Sequence, residues 1–216
     1  MIFSVIIIGA GGHASVVADA LLAAGHHVIG FTDMNPALHG STLCGLPVLG
    51  SDQVLAGHDP NALWLANGLG SVRTEPLAPR RRVQQALQAA GWRFCPVVHP
   101  RACVSRFATL GDAVQVMAAS VVQAGATLGT GTIVNTAAVV EHHVAIGDWS
   151  HIAPGAVVCA DTRVGPHSHV GAGATVRQGL QLGAHTLVAA GAVVVRNFSG
   201  SGTLAGVPAI TLETRT

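Results

Sequence analysis

Lysine is absent from the 216 residues, and only a tenth of them carry a formal charge. Eleven scattered arginines against ten acidic residues leave no electrostatic footprint for nucleic acid or an anionic membrane surface. The one basic run, Arg80-Arg81-Arg82, reads as a solvated helix face. Cysteine is sparse and unpatterned. Cys44, Cys95, Cys103 and Cys159 have no C-x-x-C spacing, which argues against a zinc knuckle, a redox pair or a disulfide framework. The apolar run from Ile2 to Ile8 is too short for a secretory leader and passes straight into glycines, so a buried strand and a cytoplasmic protein are expected.

What the chain does have is a period. From Val104 to Val194 every sixth residue is Val, Leu or Ile, the series running Val104, Leu110, Val116, Val122, Leu128 and onward without a failure. A mostly small residue stands two places before each, and glycine often follows. Six fits neither the helical repeat nor simple strand alternation, so it demands a solenoid of short strands and tight corners. A parallel β-helix with three hexads per coil meets that demand. Residues eighteen apart then stack about 4.8 Å from one another, and Leu110, Leu128, Ile146, Val164 and Leu182 become one interior column. Half of the residues are apolar. The β-helix interior accounts for part of that, and surface hidden by oligomerisation for more.

Residues 1–98 read differently. Ile2–Ile8, the turn Gly9-Ala10-Gly11-Gly12-His13-Ala14 and the periodic Val16, Val17, Ala20 and Leu21 form a strand, a glycine turn and a helix, the start of a βαβ unit. Amide groups at such a helix start attract phosphate. A second strand, residues 27–32, ends at Asp33, where a carboxylate can reach a ribose hydroxyl. A third strand opens into Asn67-Gly68, and a helix over Arg80 to Ala90 completes a small Rossmann-like domain. His99-Pro100 marks the passage into the repeat, residues 99–195. Residues 196–216 are left as a tail.

Against the regular hexads one polar cluster stands out: Asn135, Glu141-His142-His143 and His151. His142 and His151 are half a coil apart and project from separate sides, so they act together only across a subunit interface of a cyclic trimer. His169 stacks one coil above His151. His167, His169 and His185 read as decoration of outward slots, and the ligand spacing of a β-helical zinc site is not found, so no metal is expected.

These features together, with the terminal Gly206-Val207-Pro208-Ala209, resemble the bacterial sugar acyltransferases with a left-handed β-helix, in particular UDP-4-amino-sugar N-acetyltransferases and sialic acid O-acetyltransferases. The resemblance runs essentially the full length. It implies a homotrimer with acetyl-CoA in the groove between adjacent β-helices and a UDP-amino sugar on the N-terminal domain. His142 then matches the general base, a task for which imidazole as a class is suited near neutrality. His151 matches a contact near the thioester, and Ala172 and Ala190, one and two coils above Pro154, match the backbone along the pantetheine. Gly11, Gly12, His13, Asp33, Met34 and Gly68 would line the nucleotide-sugar site, with Asn135 near the sugar. In two places the chain departs from the family: His143 stands where the base has an acidic neighbour, and Met34 replaces a second acidic residue.

The expected activity is acetyl transfer from acetyl-CoA to the amino group of a UDP-4-amino-4,6-dideoxy sugar, without a covalent intermediate, because no cysteine or serine of the repeat has an activating neighbour. An O-acetyltransferase of sialic acid or a polysaccharide sugar is the same-class alternative. A dinucleotide-dependent oxidoreductase and a non-catalytic β-helix assembly protein are the other-class ones.

Overall fold

A computed structural model describes residues 2–70 and 79–212. They form two compact units that divide between Pro100 and Arg101. The N-terminal unit is a five-stranded sheet in the order β3-β4-β2-β1-β5, with β1 Ser4–Ile8, β2 His27–Thr32, β3 Thr42–Leu43, β4 Leu46–Gly50 and β5 Trp64–Asn67. β1 lies between β2 and β5, parallel to both, and β4 extends the parallel set beyond β2. Both faces of a parallel sheet are covered, which is why β1 is a continuous aliphatic run, with Val5, Ile6 and Ile7 fully buried. The helix α1, Gly12–Ala23, follows the glycine turn and buries Ala14, Val17, Ala18, Ala20 and Leu21.

Two features here depart from the sequence reading. A β-hairpin joins β3 to β4 through Cys44 and Gly45, both with positive φ, as a two-residue hairpin turn requires. And Arg80 is not on a solvated face. On α2, Pro79–Ala89, Arg80 and Gln84 lie one turn apart and both are buried. Asn67 reaches their side of the helix, its Nδ2 donating to the Arg80 carbonyl at 2.9 Å and to Gln84 Oε1 at 3.0 Å. Burial pushes the Arg80 guanidinium down to about 9, still charged at neutral pH.

The second unit is a left-handed parallel β-helix with three sheet faces. One face runs from Cys103–Val104 to Val193–Val194 and a second from Thr109–Leu110 to Gln181–Leu182. The third contains Gln115–Val116, Ile133–Val134, His151–Ile152, His169–Val170 and Thr186–Val188. Every step between neighbouring coils is eighteen residues, as in Val121↔Val139↔Val157↔Thr175↔Val193. The aliphatic of each hexad points inward, and Val122, Val140, Val158, Val176 and Val194 form a buried column. After the last hexad the chain stays with the helix. Gly202–Ala205 pairs in parallel with Thr186–Val188, and Ile210–Leu212 folds back antiparallel upon it. No described helix is long and apolar enough to cross a membrane, and all four cysteines are free thiols.

Candidate active site

The β-helix places the predicted polar residues in two groups. The first stands at the corner between the strands Val139–Val140 and Ala145–Ile146. His142 and His143 are both exposed, their rings edge to face, with Nδ1 of one 3.0 Å from Nδ1 of the other. A contact between two Nδ1 atoms needs one proton and one lone pair. The arrangement that leaves His142 Nε2 able to accept a proton is therefore His142 Nδ1–H donating to His143. The backbone fixes the pair from below and above. His143 has φ +57 and lies over Gly125, one coil down, where a Cβ would fall 2.6 Å from the imidazole. One coil up, the Asp161 N–H donates to the His142 carbonyl at 3.1 Å.

Asp161 is the member that the sequence reading missed. It occupies the corner position of His143, eighteen residues on, and one side-chain donor atom from each of His142, His143 and Asp161 lies within 4.8 Å of the others. The signal was present in the period, since 143 plus 18 is 161. Three such donors can hold a divalent cation, but only by taking the Nδ1 lone pair that joins the two rings or by turning a ring away. Glu141 stands in another column, whose next member is Cys159. Burial, and then the Glu141 charge, raise that thiol above its ordinary value.

The second group lies on the third face. Asn135 Oδ1 accepts from the Thr136 N–H at 2.8 Å, so its Nδ2 is the atom that meets His151 Nε2 at 3.0 Å. That contact makes His151 Nε2 an acceptor and puts the proton of the neutral ring on Nδ1. His151 is buried, and His169 packs edge to face upon it at 4.9 Å. Thus Asn135, expected near the sugar, is bonded to His151. His167 and His185 stack at another corner, with ring centroids 5.0 Å apart. Ala172 and Ala190 form an exposed column with Pro154, each coil joined to the next by Gly173 N–H to the Pro154 carbonyl and Gly191 N–H to that of Ala172.

In the N-terminal unit a cavity of about 100 Å³ is lined by Gly9, Asp33, Met34, Asp52 and Leu69, among others. Asp33 is already engaged there. Its Oδ2 accepts from the Ala10 N–H and its Oδ1 from the Asn35 N–H, both at 2.8 Å, so it braces the glycine turn against the end of β2. Each oxygen keeps a further lone pair for a hydroxyl. Asp52, bonded to Thr32 Oγ1, is a second carboxylate that the sequence reading did not single out. It follows β4 at the same edge of the parallel sheet as the glycine turn, where open α/β sheets bind ligands. Gly68 packs so tightly that a Cβ would come within 2.6 Å of Ile7 and 2.8 Å of Ala14. Gly11 caps α1, Gly12 begins it, and His13 lies beside Gly70.

Comparison with known proteins follows this division. The family model of the PglD N-terminal domain matches residues 4–75. The acetyltransferase domain of PglB from Neisseria gonorrhoeae, solved with acetyl coenzyme A, is 36% identical and superposes with a TM-score of 0.90, covering 98% of this chain and 100% of its own. The chain belongs to the hexapeptide-repeat family of sugar N-acetyltransferases. Another family member, PerB from Caulobacter crescentus in complex with CoA and GDP-perosamine, is 34% identical, with a TM-score of 0.88 and 99% of both chains covered. WeeI from Acinetobacter baumannii shares the fold at 22% identity, with a TM-score of 0.85 over 96% of this chain and 99% of its own. Among curated proteins none matches the sequence.

Proposed function

We propose that this chain transfers the acetyl group of acetyl-CoA to the amino group of a nucleotide-linked amino sugar, with His142 as the general base. The observation that carries the reading is the His142 ring, exposed to solvent and held at Nδ1 by a partner that leaves Nε2 for the substrate. The amine adds to the thioester carbonyl, His142 Nε2 takes the ammonium proton, and the collapsing intermediate expels the CoA thiolate, which recovers that proton as the thiol. One N–C bond forms and one C–S bond breaks. His151, with Nε2 tied to Asn135, serves acetyl-CoA near the thioester, and Asn135 lies near the sugar. The exposed column of Ala172 and Ala190 receives the pantetheine, in a groove completed by the next protomer of a trimer.

The nucleotide sugar is assigned to the cavity beside the glycine turn. Gly11, Gly12 and His13 approach the phosphates, while Asp33, Met34 and Asp52 face the nucleoside and Gly68, packed against Ile7 and Ala14, shapes the cavity from behind. Two carboxylates on one cavity suit hydroxyl and ring N–H donors rather than phosphate oxygens. The acceptor proposed first is a UDP-4-amino-4,6-dideoxy sugar. A GDP-linked amino sugar is the second reading, favoured by the GDP-perosamine bound to the Caulobacter relative.

Thiol release from acetyl-CoA with UDP- and GDP-linked amino sugars, and separately with sialic acid, tests both. Release with one of the nucleotide sugars is expected, and His142→Ala should lower kcat by about 10²–10⁴. Near-normal turnover of that variant would sink the assignment of the base, and release with sialic acid alone would move the acceptor to a hydroxyl.

A further inference from the structure

We infer that Asp161 is a positioning residue for acetyl transfer, supplying from the neighbouring coil the fixed negative charge that steadies His142 when it carries the substrate's proton. This rests on the reading of His142 as base. Proton transfer turns His142 into a cation at an exposed corner. The group bonded to its Nδ1 is an imidazole, which accepts the hydrogen bond but brings no charge of its own when neutral. Glu141 precedes His142 but stands in the column of Cys159, where its charge raises the thiol, second to burial. Asp161 has the geometry that Glu141 lacks. It occupies the same corner position as His143, one coil on, its backbone N–H holds the His142 carbonyl at 3.1 Å, and it stands within 4.8 Å of both rings.

Its place is also costly to keep. Asp161 has φ +58, at a slot where the coils above and below the pair carry Gly179 and Gly125. A glycine there would meet the backbone requirement with less strain. The side chain that replaces it is the carboxylate that faces both imidazoles. Opposite unit charges at this separation are worth between about fourfold in bulk water and a few hundred-fold at the effective dielectric of a partly buried pair, and the exposure of this corner puts it toward the lower end. That sets the size of the effect to look for.

The test uses the isosteric D161N and the charge-preserving D161E, each made alone and D161N also in a His142→Ala background. D161N should lower kcat about tenfold with KM for both substrates within about twofold, and D161E should restore most of the loss. In the His142→Ala background D161N should change the residual rate little, because the cation it would stabilise no longer forms. Wild-type kcat in D161N overturns the inference. So does an undiminished loss when His142 is already absent, which would mark Asp161 as structural. If His142→Ala alone is fully active, the reading of the base fails, a result that D161N by itself does not produce.

Discussion

The corner residues pay conformational strain for their side chains. His143, Trp149, Asp161, His167 and His185 all have positive φ, where a residue with a Cβ is strained and glycine is not. At His143 the penalty supports a ring whose partner is His142. Replacing it by glycine relieves strain worth about 1 kcal/mol and removes the Nδ1 contact at the same time. His143→Gly is therefore expected to raise Tm by about 2–4 °C while lowering kcat. Thermal denaturation followed by the thiol-release assay checks both signs, and a fall in Tm would mean that the ring holds the corner together.

At the scale of elements, the third face carries an unusual burial. In the column Gln115, Ile133, His151, His169 and Leu187, two imidazoles sit between aliphatic neighbours. His169 Nδ1 is buried without a hydrogen-bond partner, and burial pushes this group below the ordinary imidazole range. His26 is shifted the same way, by burial and then by the amino terminus. An unfolded chain binds these protons at a pH where the native rings do not. Stability is thus fully present above the unfolded value of about 6.5 and is lost as the pH falls below it. His169→Leu, which continues the aliphatic column, should shrink the drop in Tm between about pH 7.5 and pH 5.5. An unchanged drop would assign the acid sensitivity elsewhere.

How much of these elements could be read beforehand differs by kind. The hexads dictated the coil, its eighteen-residue register and the inward columns, because a single rigid spacing governs strands, corners and stacking alike. The glycine turn likewise announced β1, α1 and β2. The burial of Arg80 was not legible, since it depends on what packs against one side of α2, and a triplet of arginines carries no mark of which member faces inward. The hairpin at Cys44-Gly45 was missed because its turn carries a cysteine where asparagine or aspartate is usual. Asp161 and Asp52 were within reach: one by adding a coil, the other by following the parallel strands to their common edge.

For the molecule as a whole, the two polar groups of the β-helix stand apart on the chain, one at a corner and one on the third face. If catalysis needs both, the complete site is built from His142 of one protomer and His151 of another. Two inactive variants, His142→Ala and His151→Ala, should then complement each other. In any mixed cyclic trimer one of the three interfaces regains both side chains, so co-assembled protein is expected to recover up to about one third of wild-type activity. Sedimentation would report the trimer independently. Complete inactivity of a verified mixed trimer would require both histidines from the same chain.

The constant step between coils also makes length itself meaningful. Excising eighteen residues from the repeat would shorten the prism by one layer and leave every later side chain on the face it now occupies. Excising six would rotate everything downstream by a third of a turn, carrying the Asn135–His151 chemistry of one face onto its neighbour while the aliphatic interior remained intact. A fold so tolerant of its own core can lose its active surface without losing its stability, and the position of a residue within its coil is as much a part of its chemistry as its identity.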